Sequence, residues 1–102
     1  MCGIAGIIHY DTSRKVNENQ LTICRDTLMH RGPDFGANYI YDNVGLAHRR
    51  LSIIDLSSRA NQPMLSSDDN FAIVFNGEIY NFLELKQELL AKGFSFYSNS
   101  DT

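Results

Sequence analysis

Long apolar runs are missing from this chain, and cysteine is scarce. No stretch approaches the ~20 apolar residues of a membrane-spanning helix, and the start of the chain lacks the basic and apolar regions of a secretory signal. The two cysteines, Cys2 and Cys24, are too few to indicate a disulfide framework. We therefore expect a cytoplasmic protein with reduced thiols and no membrane partner, one Cys2–Cys24 disulfide being the alternative.

Basic charge is also low. Nine Lys and Arg residues stand against twelve Asp and Glu, a net charge of −3, so nothing resembles the footprint of a nucleic-acid-binding protein. His9, His30 and His48 are far apart, and no Cys/His group has zinc-ligand spacing, which favours structural histidines over a metal site. At 43% hydrophobic and 21% charged residues, the composition is that of an ordinary globular chain with one domain at most.

The first half of the chain predicts a strand, a helix and a hairpin. Residues 4–9 have the small and β-branched pattern of a buried strand. From Asn17 the apolar residues recur at helical spacing, which predicts a helix that ends before residues 31–34 and directs Cys24 to the core. Residues 37–41 and 44–48 read as antiparallel strands joined by a tight turn at residues 42–43.

The second half predicts a further strand and helix. Residues 71–75 are continuously apolar, as expected for a strand covered on both faces. Asn81 and Glu84 predict the start of a helix that Gly93 ends, and residues 94–96 are a short strand candidate. This order predicts the α+β class, with helices over antiparallel sheet.

Cys2 is the first candidate for chemistry. Removal of Met1 would leave a thiol and a free α-amine on one residue, and a terminal amine can accept the proton of the thiol. Such a residue can attack a carbonyl without help from a histidine. The alternative is a small apolar residue that begins a strand.

Asn76 and Gly77 are candidates for an oxyanion hole. The Asn amide and the Gly backbone N–H are donors that would stabilise the negative charge on an attacked carbonyl. The alternative is a simple Asn-Gly turn. Arg50, at a strand end, is placed to clamp a carboxylate with its guanidinium, whereas Glu78 and Asp101 carry charges suited to an ammonium group; ordinary surface charges are the alternative.

The segment at residues 30–34 contains His30 and Asp34, which suggests a catalytic dyad. With a terminal amine available as the base, a second base is not required, so we interpret this segment as structural. Arg31 and Asp34 are expected to pair or to bond backbone groups around the Gly-Pro turn.

Six segments follow one another in a characteristic order: MCGI (1–4), HRGPD (30–34), AHRRLSI (47–53), QP (62–63), NGEIYN (76–81) and SDT (100–102). Together they closely resemble the glutaminase domain of glutamine-hydrolysing asparagine synthetases, over the whole chain. Phosphoribosyl-pyrophosphate and glucosamine-phosphate amidotransferases share the first segment but do not look like this chain at residues 31–34 and 76–81.

The resemblance implies a class II glutamine amidotransferase of the N-terminal-nucleophile (Ntn) hydrolase fold, an αββα sandwich. It implies Cys2 as the nucleophile and Asn76 with Gly77 as the oxyanion hole. It implies Arg50 as the clamp for the glutamine carboxylate, with Leu51 and Ile53 as the backbone-contact residues beside it. It implies Glu78 and Asp101 as the acids that hold the glutamine ammonium. Glutamine would release ammonia through a glutamyl thioester, for the ATP-dependent amidation of aspartate.

The resemblance also implies a longer parent protein. Residues 1–102 are expected to be the N-terminal part of the amidotransferase domain, with part of both sheets absent, so that exposed apolar faces favour a homo-oligomer or an unstable fold. No cofactor is expected in this chain, and ATP and magnesium would belong to a synthetase domain of the same polypeptide. A retained Met1 would silence Cys2. Two alternatives stay open, namely another acceptor carboxylate, such as a sugar uronic acid or specialised metabolite, and a non-catalytic glutamine-binding module; a redox role for the two cysteines has little support without a Cys-X-X-Cys pair.

Overall fold

Two antiparallel sheets and two helices make up the fold in a computed structural model that describes residues 1–102. The elements in chain order are β1 (Gly3–Ile8), α1 (Glu18–Asp26), β2 (Phe35–Tyr41), β3 (Val44–Arg50), a 3₁₀ turn (Ser58–Ala60), β4 (Met64–Leu65), β5 (Ala72–Ile73) and α2 (Phe82–Ala91). The α+β class predicted from the sequence is confirmed. Neither helix has the length and apolar character that a membrane crossing would require.

The larger sheet has the order β1-β3-β2, with both pairings antiparallel. The predicted hairpin is confirmed, because β2 and β3 pair from Tyr41↔Val44 onward and Asp42 adopts a positive φ of 48° in the turn. The pairing Gly3↔Arg49 brings the start of the chain alongside the end of β3. The central strand therefore delivers its last residues next to Cys2.

Helix α1 covers one face of this sheet. Leu21 is fully buried and packs with Val16 and Ala47 in the small core. Gly45 lies directly under this contact, where an added Cβ would be 2.8 Å from side-chain atoms of both Leu21 and Val16. The glycine thus permits the helix to approach the sheet closely. On the opposite face, Ile8 and Tyr41 at the hairpin end of the sheet are more than two-thirds exposed, whereas His48 near the other end is fully buried.

The predicted core position of Cys24 is wrong, since Cys24 is exposed. Asn17 caps the helix as predicted, its Oδ1 accepting from the backbone N–H of Gln20 at 3.0 Å. The residue one turn after Leu21 on the sheet-facing side is Arg25, whose Nη1 donates to Asn38 Oδ1. The helix therefore continues over the sheet through a polar contact, and Cys24 lies to the side of it.

The smaller sheet pairs β4 with β5, and it corrects a second prediction. The strand expected at residues 71–75 spans only Ala72–Ile73, and Phe71 is 75% exposed, so the segment is not covered on both faces. Residues 94–96 form no strand, and their aromatic side chains are exposed.

Helix α2 starts and ends where the sequence predicts, although its start lacks the expected cap. Asn81 occupies the N-cap position but its side chain makes no capping hydrogen bond. Gly93 ends the helix with a φ of +91°, the conformation in which glycine is favoured. Lys86 Nζ donates to the carbonyl of Ser98 at 3.0 Å, which connects α2 to the last residues of the chain.

Candidate functional site

One cavity of about 370 Å³ lies where β1 begins and β3 ends, closed by residues 75–78 and 100–102. This volume is within the range of small-molecule sites. All eight site residues predicted from the sequence line it: Cys2, Arg50, Leu51, Ile53, Asn76, Gly77, Glu78 and Asp101. Residues from four parts of the chain that are distant in sequence are therefore brought together. Their chemical roles stay predictions.

Cys2 is half-buried immediately before β1 and is held through both its side chain and its backbone. Its Sγ accepts from the backbone N–H of Leu51 at 3.3 Å and lies 3.7 Å from the Leu51 carbonyl oxygen. Its own carbonyl accepts from Arg31 Nε at 3.1 Å. The sulfur is thereby fixed at the edge of the cavity.

Arg50, the last residue of β3, is only 6% exposed. Its Nη1 donates to the Ser57 carbonyl and to Asn61 Oδ1, both at 2.7 Å. Nε and Nη2 have no hydrogen-bond partner in the chain, so one edge of the guanidinium is available to an anion. Ile53, two residues beyond Leu51 along the same loop, is 67% exposed and contributes an apolar part of the wall.

Asn76 and Gly77 follow Phe75, whose two backbone groups are both bonded to side chains. Gln62 Oε1 accepts from the Phe75 N–H at 2.6 Å, and His48 Nε2 lies 3.2 Å from the Phe75 carbonyl oxygen. At Gly77 an added Cβ would lie 2.8 Å from Phe75 Cζ, so the glycine permits this tight geometry. The Asn-Gly pair is therefore presented at the cavity by a backbone held from both sides.

Opposite charges share the cavity wall. Glu78 is exposed, and half-buried Asp101 accepts from the backbone N–H of Ile79 through Oδ2 at 2.9 Å. With Arg50 and a third acid, Asp55, they give the wall one cationic and three anionic side chains. A small zwitterion has the complementary pattern of charge.

His48 is the most buried polar residue beside the site. It is fully buried, and burial is the main cause that lowers the pKa of its imidazole, which favours the neutral form at pH 7. Neutral imidazole with the proton on Nε2 donates to the Phe75 carbonyl. Nδ1 then has no hydrogen-bond partner.

The segment at residues 30–34 has the structural contacts that its sequence predicts. Besides the bond from Arg31 to Cys2, Asp34 Oδ2 accepts from the Ser52 N–H at 2.7 Å, and the Asp34 N–H donates to the Arg50 carbonyl at 3.0 Å. His30 is exposed, and its ring contacts the Thr27 carbonyl rather than Asp34. The segment braces the backbone around Cys2 and the end of β3.

Sequence reasoning assigned no role to several other residues in the cavity wall, among them Asp55, Gln62, Tyr80 and Thr102. Asp55 accepts hydrogen bonds from Ser57 and from the backbone N–H of Asn99, which lower the pKa of its carboxyl to about 2. Its bond to Ser57 two residues later is an Asx turn, a local pattern that the sequence does contain. The link to Asn99 crosses 44 residues and has no local signal.

Comparison with known proteins identifies relatives over the whole chain. Asparagine synthetase [glutamine-hydrolyzing] 1 of Bacillus subtilis is 39% identical, and the alignment covers 100% of this chain and 16% of that protein. Putative asparagine synthetase [glutamine-hydrolyzing] 2 of Methanocaldococcus jannaschii is 39% identical over 86% of this chain and 20% of its own length. Amidase chry2 of Gibberella zeae is also 39% identical, over 99% of this chain and 16% of its own length.

The chain thus spans between a sixth and a fifth of the length of these relatives. Residues 1–102 in their entirety match the family described as glutamine amidotransferase domain. The cavity that gathers a cysteine, an arginine and three acidic residues lies within this matched region. On this full-length match, the chain belongs to the glutamine amidotransferase domain family.

Proposed function

We propose that this chain is the glutaminase part of an asparagine synthetase-like enzyme of the cytoplasm. The observation that carries the proposal is the convergence of all eight predicted residues on one cavity, with the Cys2 sulfur at its edge. The family match and the names of the relatives support it.

In the proposed reaction the Cys2 sulfur attacks the side-chain amide carbon of glutamine. The α-amine of Cys2, freed by removal of Met1, accepts the thiol proton and then passes it to the leaving nitrogen. The attacked carbonyl oxygen becomes an oxyanion, which the Asn76 side-chain amide and the Gly77 N–H stabilise as donors. Ammonia leaves, and water hydrolyses the remaining glutamyl thioester to glutamate and the free thiol.

Recognition of glutamine follows from the charges of the wall. The free edge of the Arg50 guanidinium binds the α-carboxylate, while Glu78 and Asp101 hold the α-ammonium. Leu51 and Ile53 form the apolar wall next to Arg50. This arrangement places the side-chain amide, rather than the zwitterionic end, toward Cys2.

We further propose that residues 1–102 are part of a larger Ntn hydrolase-type αββα sandwich, whose synthetase domain belongs to the same polypeptide and which forms a homo-oligomer. The residues present do not fit magnesium, because no group of three His, Cys, Asp or Glu side chains could hold the ion. ATP and magnesium are therefore assigned to that synthetase domain.

A second candidate is an amidotransferase that supplies ammonia to a different carboxylate. The relative named Amidase chry2 is as similar to this chain as the Bacillus asparagine synthetase, so the glutaminase part alone does not select aspartate as the acceptor. A third candidate is a module that binds glutamine without releasing ammonia.

The test combines intact mass with peptide mapping after treatment with an electrophilic glutamine analogue, with and without excess glutamine. Exposed Cys24 is an internal reference thiol that glutamine should not protect. Loss of Met1 with glutamine-protected labelling of Cys2 supports the glutaminase. Equal, unprotected labelling of both cysteines in a chain lacking Met1 contradicts it, and glutamine binding without ammonia release favours the non-catalytic module.

A further inference from the structure

We propose that Asn61 and Gln62, adjacent residues that take no part in the proposed chemistry, are the positioning residues of the glutamine site. The inference rests on the proposed function. Asn61 fixes the residue assigned to the carboxylate, and Gln62 fixes the backbone that presents the oxyanion donors. One short segment after the 3₁₀ turn thus sets the geometry of both ends of the substrate.

Asn61 acts on Arg50 alone. Its Oδ1 accepts from Arg50 Nη1 at 2.7 Å, and the Ser57 carbonyl accepts from the same nitrogen at the same distance. These two acceptors hold one edge of a guanidinium that is 6% exposed, and the planar group then has a fixed free edge. The orientation of the carboxylate clamp therefore depends on Asn61.

Gln62 connects two loops of the cavity wall. Its Oε1 accepts from the Phe75 N–H at 2.6 Å, one residue before Asn76, and its Nε2 donates to Thr102 Oγ1 at 3.2 Å, one residue after Asp101. Strand β5 ends at Ile73, so Gln62 supplies an acceptor where the β4–β5 ladder no longer does. Gln62 is only 6% exposed.

The amide group suits this position for a chemical reason. A backbone N–H can only donate, so the oxygen of Gln62 must face Phe75, and the nitrogen is left for Thr102. The carbonyl of Phe75 is bonded by buried His48 on its other side. Loss of the Gln62 amide would leave a buried donor unpaired and release one of these two restraints.

The two residues should have separable kinetic signatures. The carboxylate clamp holds glutamine equally in the ground state and the transition state, so Asn61→Ala should raise the KM for glutamine roughly tenfold with kcat little changed. The oxyanion exists only beyond the ground state, so Gln62→Met should lower kcat roughly tenfold to a hundredfold with a smaller change in KM.

The experiment measures glutamine-dependent ammonia release by the complete polypeptide with Met1 removed. Asn61→Asp and Gln62→Glu are rescue variants, because each keeps the acceptor for Arg50 or Phe75, and the Thr102 hydroxyl can donate to the new carboxylate. Asn43→Ala is the matched control, since it removes a half-buried amide that donates to the His9 carbonyl in the hairpin, away from the cavity. Thermal unfolding of every variant shows which of them fold.

The expected result is a KM effect for Asn61→Ala, a kcat effect for Gln62→Met, partial recovery in both rescue variants and wild-type kinetics for Asn43→Ala. The positioning roles are overturned if all variants have the kinetics of the control. They are also overturned if kcat falls or KM rises and the rescue variants do not reverse the change. If Gln62→Met does not fold, Gln62→Asn, too short to reach both partners, replaces it. A wild-type protein without ammonia release instead overturns the proposed function, and the inference with it.

Discussion

The Cys2 sulfur lies 3.3 Å from the backbone nitrogen of Leu51, a residue 49 positions away. The antiparallel register of β1 and β3 explains this contact. Gly3 pairs with Arg49, so Cys2, just before β1, lies near the residues that follow Arg49. A backbone N–H donates more strongly to a thiolate than to a thiol. In the proposed reaction, where the sulfur attacks as a thiolate, the Leu51 N–H therefore acts as the donor that holds it at the edge of the cavity.

Replacing Leu51 by proline removes that donor. We expect Leu51→Pro to slow labelling of Cys2 by an electrophilic glutamine analogue by roughly tenfold or more, as for loss of a hydrogen bond to a charged group. Leu51→Ala keeps the N–H, and its labelling rate should stay within about threefold of the wild type. Equal rates in the two variants would show that the backbone donor is not important.

Arg50 is the second test, because its free edge has the fork geometry of a carboxylate clamp. Lysine keeps the charge but cannot bond the Ser57 carbonyl, Asn61 and a carboxylate in one plane. We expect Arg50→Lys to raise the KM for glutamine roughly tenfold to a hundredfold with kcat largely retained. Arg59, in the last turn of the 3₁₀ element and exposed, provides the control Arg59→Lys, for which steady-state kinetics should be unchanged.

Gly45 tests the packing that positions β3. Its added Cβ would lie 2.8 Å from atoms of Leu21 and Val16, and Leu21 is fully buried and cannot move aside. We expect Gly45→Ala to lower the free energy of unfolding by about 1–3 kcal/mol, measured by urea denaturation. Gly6 is exposed on the opposite face, where an added Cβ would come no closer than 3.3 Å, to the Gly45 carbonyl oxygen, so Gly6→Ala should cost less than about 1 kcal/mol. A larger loss at Gly6 would contradict this account of the core.

Local patterns predicted the hairpin and the termini of both helices correctly, since turn residues and caps act within a few positions of the chain. Cys24 and residues 71–75 were predicted wrongly, because their burial depends on which elements pack over them. The predicted site residues lie together in one cavity, yet the hydrogen bonds that hold them there could not be predicted from the sequence. Gln62 reaches Phe75 and Thr102 across 13 and 40 positions, and no local pattern indicates such bonds.

Asp55 makes acid sensitivity a further test. Hydrogen bonds from Ser57 and Asn99 lower the pKa of its carboxyl to about 2 in the folded chain, against an ordinary value of 3.8. The folded state binds fewer protons than the unfolded state between these values, so the stabilisation is complete above about pH 4 and is lost as pH falls toward 2. Urea denaturation across this window should show the loss, and Asp55→Asn should reduce it.

Asp68 is the matched control for this acid transition. Its pKa is also lowered to about 2, by hydrogen bonds from Ser66 and Asn70 within one surface turn, so Asp68→Asn should weaken the same pH dependence of unfolding. The two carboxylates differ in what they hold, because Asp55 bonds the Asn99 N–H two residues before Asp101, whereas the Asp68 turn lies outside the cavity wall. Asp55→Asn should therefore also weaken the protection of Cys2 by glutamine at neutral pH, and Asp68→Asn should not. If glutamine protects Cys2 equally well in both variants, Asp55 contributes only to stability, and other contacts position the loop at residues 99–102.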